Sequence, residues 1–112
     1  MSPEGESDRS RKSRAAPRIQ PKVSFSSGYL EGTGLIQNLS LTGVQIRILG
    51  TFRRPTVNSM IDLWFFVGTE RKPAVAMGRV VQSSPHRFTV KFIRLDKRIH
   101  GLLLASAIAV DN

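Results

Sequence analysis

Thr33-Gly34-Leu35-Ile36-Gln37-Asn38-Leu39-Ser40-Leu41-Thr42-Gly43-Val44-Gln45-Ile46-Arg47-Ile48 holds two β-rich runs separated by Ser40-Leu41-Thr42-Gly43. A loop of that length suits a hairpin, with Gly43 at a positive-φ position. Val44, Ile46 and Ile48 alternate with Gln45 and Arg47. One face of this strand is therefore buried, and Arg47 looks outward.

The flanking sequence repeats the pattern. Upstream, Val23 and Phe25 alternate with Lys22, Ser24 and Ser26 as a half-buried strand ended by a Gly28 to Gly32 turn. Downstream, Leu49 to Ser59 carries Arg53, Arg54 and Pro55 and reads as a surface loop. Met60 to Val67 is nearly all apolar, which predicts a central or doubly covered strand with Trp64 in the core. Two further strands, Ala74 to Gln82 and Arg87 to Ile93, are joined by Ser83-Ser84-Pro85-His86. Asp96 is placed to cap a helix running to about Ala109, with Ile99, Leu102, Leu103 and Ala107 at helical spacing. Gly101 within it lowers helix propensity by about 1 kcal/mol relative to Ala, so close packing on the barrel is expected there. Six strands with regular turn signals and one helix predict a mainly β fold, a small six-stranded antiparallel barrel with a C-terminal helix.

At 112 residues, 40% of them hydrophobic, the chain makes one domain with a single modest core. Met1 to Ser13 is polar and without apolar periodicity, which predicts a disordered tail. The rest divides into an extended, flexible arm over 14–22, a barrel over 23–94 and the helix over 96–109. Pro17 biases Ala16 away from helical geometry, so Arg14 and Arg18 belong to an extended segment. The 17 basic against 8 acidic side chains, a formal charge of +9, predict affinity for something anionic. Without cysteine there is no disulfide framework or thiol chemistry. The first thirty residues lack the apolar stretch of a secretory signal, and no run approaches a membrane span. A cytoplasmic protein without membrane insertion is the expectation. His86 and His100 have no metal-ligand spacing with carboxylates, so no metal site is assigned.

Two short motifs point further. Arg14-Ala15-Ala16-Pro17-Arg18 is an RxxxR pair, and Asn38, Ser40 and Gly43 form an N-x-S-x-x-G pattern about twenty residues on. Either alone is weak, but both at this spacing arise by chance in on the order of one such chain in a hundred. Together they resemble the signature of the PilZ domain family, in which many members bind the bacterial second messenger cyclic di-GMP. The strand order, the Gly78-Arg79-Val80-Val81 run and the closing helix also fall where that family has them. The resemblance implies a barrel, no enzymatic activity and no cofactor. It also implies a ligand site in which Arg14 and Arg18 wrap over cyclic di-GMP while Asn38, Ser40 and Gly43 lie beneath it. Guanidinium groups suit that task, since they fork onto phosphate oxygens or onto guanine O6 and N7 and stack on bases. Asn38 would accept from a guanine edge, Ser40 would make a polar contact nearby, and Gly43 would leave space.

Some residues depart from the family pattern. Many members carry Trp and Gly where this chain has Gln82 and Thr89, both read as packing positions and not as ligand contacts. Many also have a basic residue beside the first motif arginine, whereas Ser13 and Ala15 flank Arg14, leaving ligand stoichiometry open; Arg11 and Lys12 are further candidates for phosphate contact. The leading function is a cyclic di-GMP receptor that orders its arm on binding and signals to a protein partner. One alternative is a ligand-independent PilZ-like interaction adaptor. A basic single-stranded nucleic-acid-binding barrel is the weaker alternative, because the eight aromatics read mostly as core. Catalysis ranks last, since no nucleophile, base and orienting group are arranged together.

Overall fold

The computed structural model describes residues 18–28, 30–50 and 53–111, the last seven of these by backbone only. Six antiparallel strands follow in order: β1 (Ile19–Ser27), β2 (Leu30–Leu39), β3 (Gly43–Ile48), β4 (Met60–Val67), β5 (Ala74–Ser83) and β6 (Arg87–Leu95). One helix among the described residues, α1 (Lys97–Asp111), comes after them. The strands close into a barrel in the order β1-β2-β3-β6-β5-β4, with β4 returning to β1. Alternating apolar residues build its interior: Val23 and Phe25, Val44 and Ile46, Ile61, Leu63 and Phe65, Val80, Phe88 and Val90 are all buried. Phe25 meets Phe88 edge to face at 4.9 Å between ring centroids, a favoured aromatic geometry. Ile99 of α1 is fully buried, and Leu102 and Leu103 pack half-buried against the same core.

Several local expectations are corrected. β1 begins at Ile19, not Val23, and runs through Pro21. Its pairing with β4 shifts register between Ile19 and Val23, and such an irregularity accommodates a residue without an N–H. The first turn is shorter than Gly28 to Gly32. Gly28 takes φ 62°, and Gly32 is already a strand residue opposite Phe25. A side chain at Gly32 would lie 2.8 Å from the Phe25 ring, so this glycine serves packing and not turning. β4 is not covered on both faces: Met60 and Asp62 are exposed, and Trp64 lies half-buried on the outer face instead of in the core. Gly101 is exposed with open space around it, and nothing in the structure explains it.

The turn between β4 and β5 joins three parts of the chain. The Gly68 N–H donates to the Arg18 carbonyl at 2.7 Å, and Gln20 Nε2 donates to the Gly68 carbonyl at 2.6 Å. From the other side Arg98 of α1 donates to Glu70 Oε1 at 2.8 Å and to the carbonyls of Lys72 and Pro73 at 3.1 and 2.9 Å. Asp96 caps the helix as predicted, its Oδ1 accepting from the Arg98 N–H at 2.7 Å. Burial pushes the Asp96 carboxyl up. Hydrogen bonds from the Arg98 backbone and side chain, the Arg98 charge and the Val75 backbone outweigh that effect and hold it below the usual range.

Candidate functional site

The site forms on the outer face of β2, β3, β6 and β5, and two β-bulges make it. Along β2, Gly34 and Ile36 face inward opposite Ile48 and Ile46, so an unbroken strand would turn Asn38 inward as well. Gln37 is bulged, however, and the next pair is Asn38 with Gln45. The extra residue reverses the alternation and puts Asn38 on the exposed face. The same event occurs in β5. Val80 faces inward opposite Val90, Val81 is bulged, and Gln82 pairs with Thr89 on the outside. Since Gln45 also pairs with Thr89, one polar row crosses four strands: Asn38, Gln45, Thr89, Gln82.

Ser40 shapes the turn at one end of this row. Its N–H donates to the Gly43 carbonyl at 2.9 Å, and its hydroxyl oxygen accepts from the N–H groups of Thr42 and Gly43 at 3.2 and 3.3 Å. The Ser40 and Thr42 hydroxyls lie 3.1 Å apart. Ser40 thus fixes the loop from within, as serine does in tight turns. Gly43 departs from the sequence reading, since its φ is not positive and it is the first residue of β3. It pairs with Lys91, and an added Cβ would collide with the Val90 carbonyl oxygen. Glycine is needed here because two backbones approach closely, not because of turn handedness.

Asn38, Ser40 and Gly43 line one open groove of about 480 Å³ together with Gln82, Thr89 and Lys91. Gln82 and Thr89, read from sequence as packing positions, are therefore groove residues. Lys91, absent from the sequence reading, adds an exposed cation directly across from Gly43. The missed signal was the interval between apolar residues: three from Ile36 to Leu39, where an even strand gives two. Arg18 is exposed just before β1. The antiparallel register pairing Lys22 with Leu35 runs the start of β1 toward the end of β2 that carries Asn38. Arg18 does not line the groove, and Arg11, Lys12 and Arg14 lie outside the described residues.

Charge is unevenly distributed around the barrel. β3, β5 and β6 carry Arg47, Arg79, Arg87, Lys91 and Arg94, all exposed, and no carboxylate. A second hollow of about 520 Å³ lies away from the motif, between the β1–β2 turn and Arg53, Arg54 and Ser59. Among the described residues no three His, Asp or Glu side chains converge as metal ligands, and no helix is long and apolar enough to cross a membrane.

The PilZ domain family model matches residues 8–108, a span that includes both arginines of the arm and the whole N-x-S-x-x-G turn. The chain belongs to the PilZ domain family, a family of cyclic di-GMP receptor and adaptor domains. No curated protein and no solved structure matches it significantly.

Proposed function

We propose that this protein is a cytoplasmic cyclic di-GMP receptor that acts as an adaptor and not as an enzyme. Its ligand site comprises Asn38, Ser40 and Gly43 on the barrel with Arg14 and Arg18 of the arm. The observation that carries the reading is the outward turn of Asn38, which a bulge places in a cationic groove beside Ser40 and Gly43. There its exposed amide carbonyl accepts from a guanine edge, and the arm's guanidinium groups take phosphates or stack on the bases. Ser40 acts chiefly by holding the turn. Closing the arm costs conformational entropy, offset by charge-assisted hydrogen bonds of about 1.5 to 3 kcal/mol each. The ordered arm then presents a changed surface to a protein partner.

Calorimetric titration with cyclic di-GMP at physiological salt, with GTP as control, tests this reading. Saturable binding at micromolar or tighter affinity, selective over GTP, is expected. Absence of saturable heat would transfer the function to a ligand-independent adaptor.

A further inference from the structure

Arg47 and Arg87 are direct cross-strand partners in the β3–β6 ladder. The Ile48 N–H donates to the His86 carbonyl at 2.8 Å, which makes the neighbouring Arg47–Arg87 couple a non-hydrogen-bonded pair, the kind whose side chains lie closer. Like charges directly opposite one another destabilise a sheet. Among the described residues neither guanidinium has a carboxylate partner or a side-chain hydrogen bond. Beside Arg87 lies a hollow of about 300 Å³ lined also by Ser84, Gln45, Gln82 and Thr89; Arg47 does not line it but stands directly across the ladder from Arg87. Gln45, Gln82 and Thr89 also line the motif groove, so the two hollows form one trough along β6. Lys91 and Arg87 stand four residues apart on that strand, a separation of about 13 Å.

We infer that Arg47 and Arg87 form a second anion subsite at the far end of this trough, one that takes a phosphate group. Two exposed arginines at directly opposite backbone positions provide forked donors matching phosphate oxygens, and Gln45, Gln82 and Thr89 supply neutral donors beside Arg87. A bound phosphate also relieves the repulsion that the unliganded pair sustains. The two aromatic residues of β3, β5 and β6 are Phe88, which is buried, and Phe92, which packs edge to face on Phe65, so among the described residues these strands offer no stacking platform for a nucleic-acid strand. The phosphate belongs either to a second cyclic dinucleotide, lying next to the one assigned to the motif, or to a separate phosphorylated molecule. The subsite stands on its own geometry and does not require the motif ligand.

The test uses the full chain and three variants: Arg87→Gln, the double variant Arg47→Gln/Arg87→Gln, and, as a charge-matched control on the same strand, Arg94→Gln. Inorganic pyrophosphate is the first probe, compared with NaCl at equal ionic strength. Wild type and Arg94→Gln bind pyrophosphate alike, and the double variant binds it at least tenfold more weakly. Without ligand, Arg87→Gln melts about 2 to 4 °C higher than wild type because a like-charge pair is gone. Equal pyrophosphate binding by wild type and double variant overturns the subsite, as does binding no better than the salt control. Cyclic di-GMP titration then separates the sources. A fall from two ligands to one in the double variant assigns the phosphate to a second dinucleotide, whereas unchanged stoichiometry with pyrophosphate binding lost assigns it to a separate molecule. Failure of the receptor reading is a different result: no dinucleotide binding, with the pyrophosphate response intact.

Discussion

Asn38 and Gln82 stand at opposite ends of one cross-strand row, and each faces outward because the residue before it is bulged. The polar floor of the groove thus depends on two register shifts. Asn38→Ala should weaken cyclic di-GMP binding by about 1–3 kcal/mol while leaving the melting temperature unchanged, since the side chain is exposed. Calorimetry and thermal melts on the same sample check both halves of the statement.

Arg18 tests the arm. Its carbonyl anchors Gly68 but its side chain is exposed, so Arg18→Ala removes the guanidinium without touching the anchor. A loss of about 1–3 kcal/mol in ligand affinity at constant stability is expected, and the same for Arg14→Ala. Wild-type affinity in both variants would remove the arm from the site.

Gly43→Ala should cost about 1–3 kcal/mol of stability by forcing β3 away from the Val90 carbonyl. Denaturant unfolding measures it. A D-alanine placed at Gly43 by chemical synthesis would restore stability if positive φ were the reason for the glycine; no such rescue is expected.

Gly101→Ala should stabilise the protein by about 0.5–1 kcal/mol, because the added methyl meets open space and the helix gains propensity. A rise in melting temperature of several degrees is the readout.

Asp96 gives the pH prediction. Its carboxyl titrates below its unfolded value, so its contribution to stability is fully present above about pH 4 and disappears as pH falls through the lowered folded-state value. Asp96→Ala should cost about 1 kcal/mol at neutral pH and flatten the acid limb of the stability profile. Urea unfolding from pH 2 to pH 7 compares the two slopes.

The barrel was legible because Val44, Ile46 and Ile48 and their counterparts keep a strict period of two, which admits one inward face. The helix cap was legible for a similar reason, Asp96 being a local signal. What escaped was non-local. Whether Gln82 faces the core or the groove depends on a bulge at Val81, and a Val-Val pair reads equally well as continuous strand. Gly32 and Gly43 resemble turn signals until the facing strand is known; then each proves to be the place where a neighbour comes too close for a side chain. Trp64 was misplaced because a nearly continuous apolar run hides its own alternation. The arm residues assigned to the ligand, Arg14 above all, rest on the motif alone.

The β4–β5 turn has a mechanical meaning. Gly68 is tied to Arg18 and Gln20 at the base of the arm, while Glu70, Lys72 and Pro73 are gripped by Arg98 at the foot of the helix. A segment of six residues works as a common clasp, so cutting it would free two remote parts of the chain in one event. A protease site engineered between Thr69 and Lys72 should make residues on both sides, near Arg18 and near Arg98, exchange amide hydrogen faster together, while β3 and β6 stay protected.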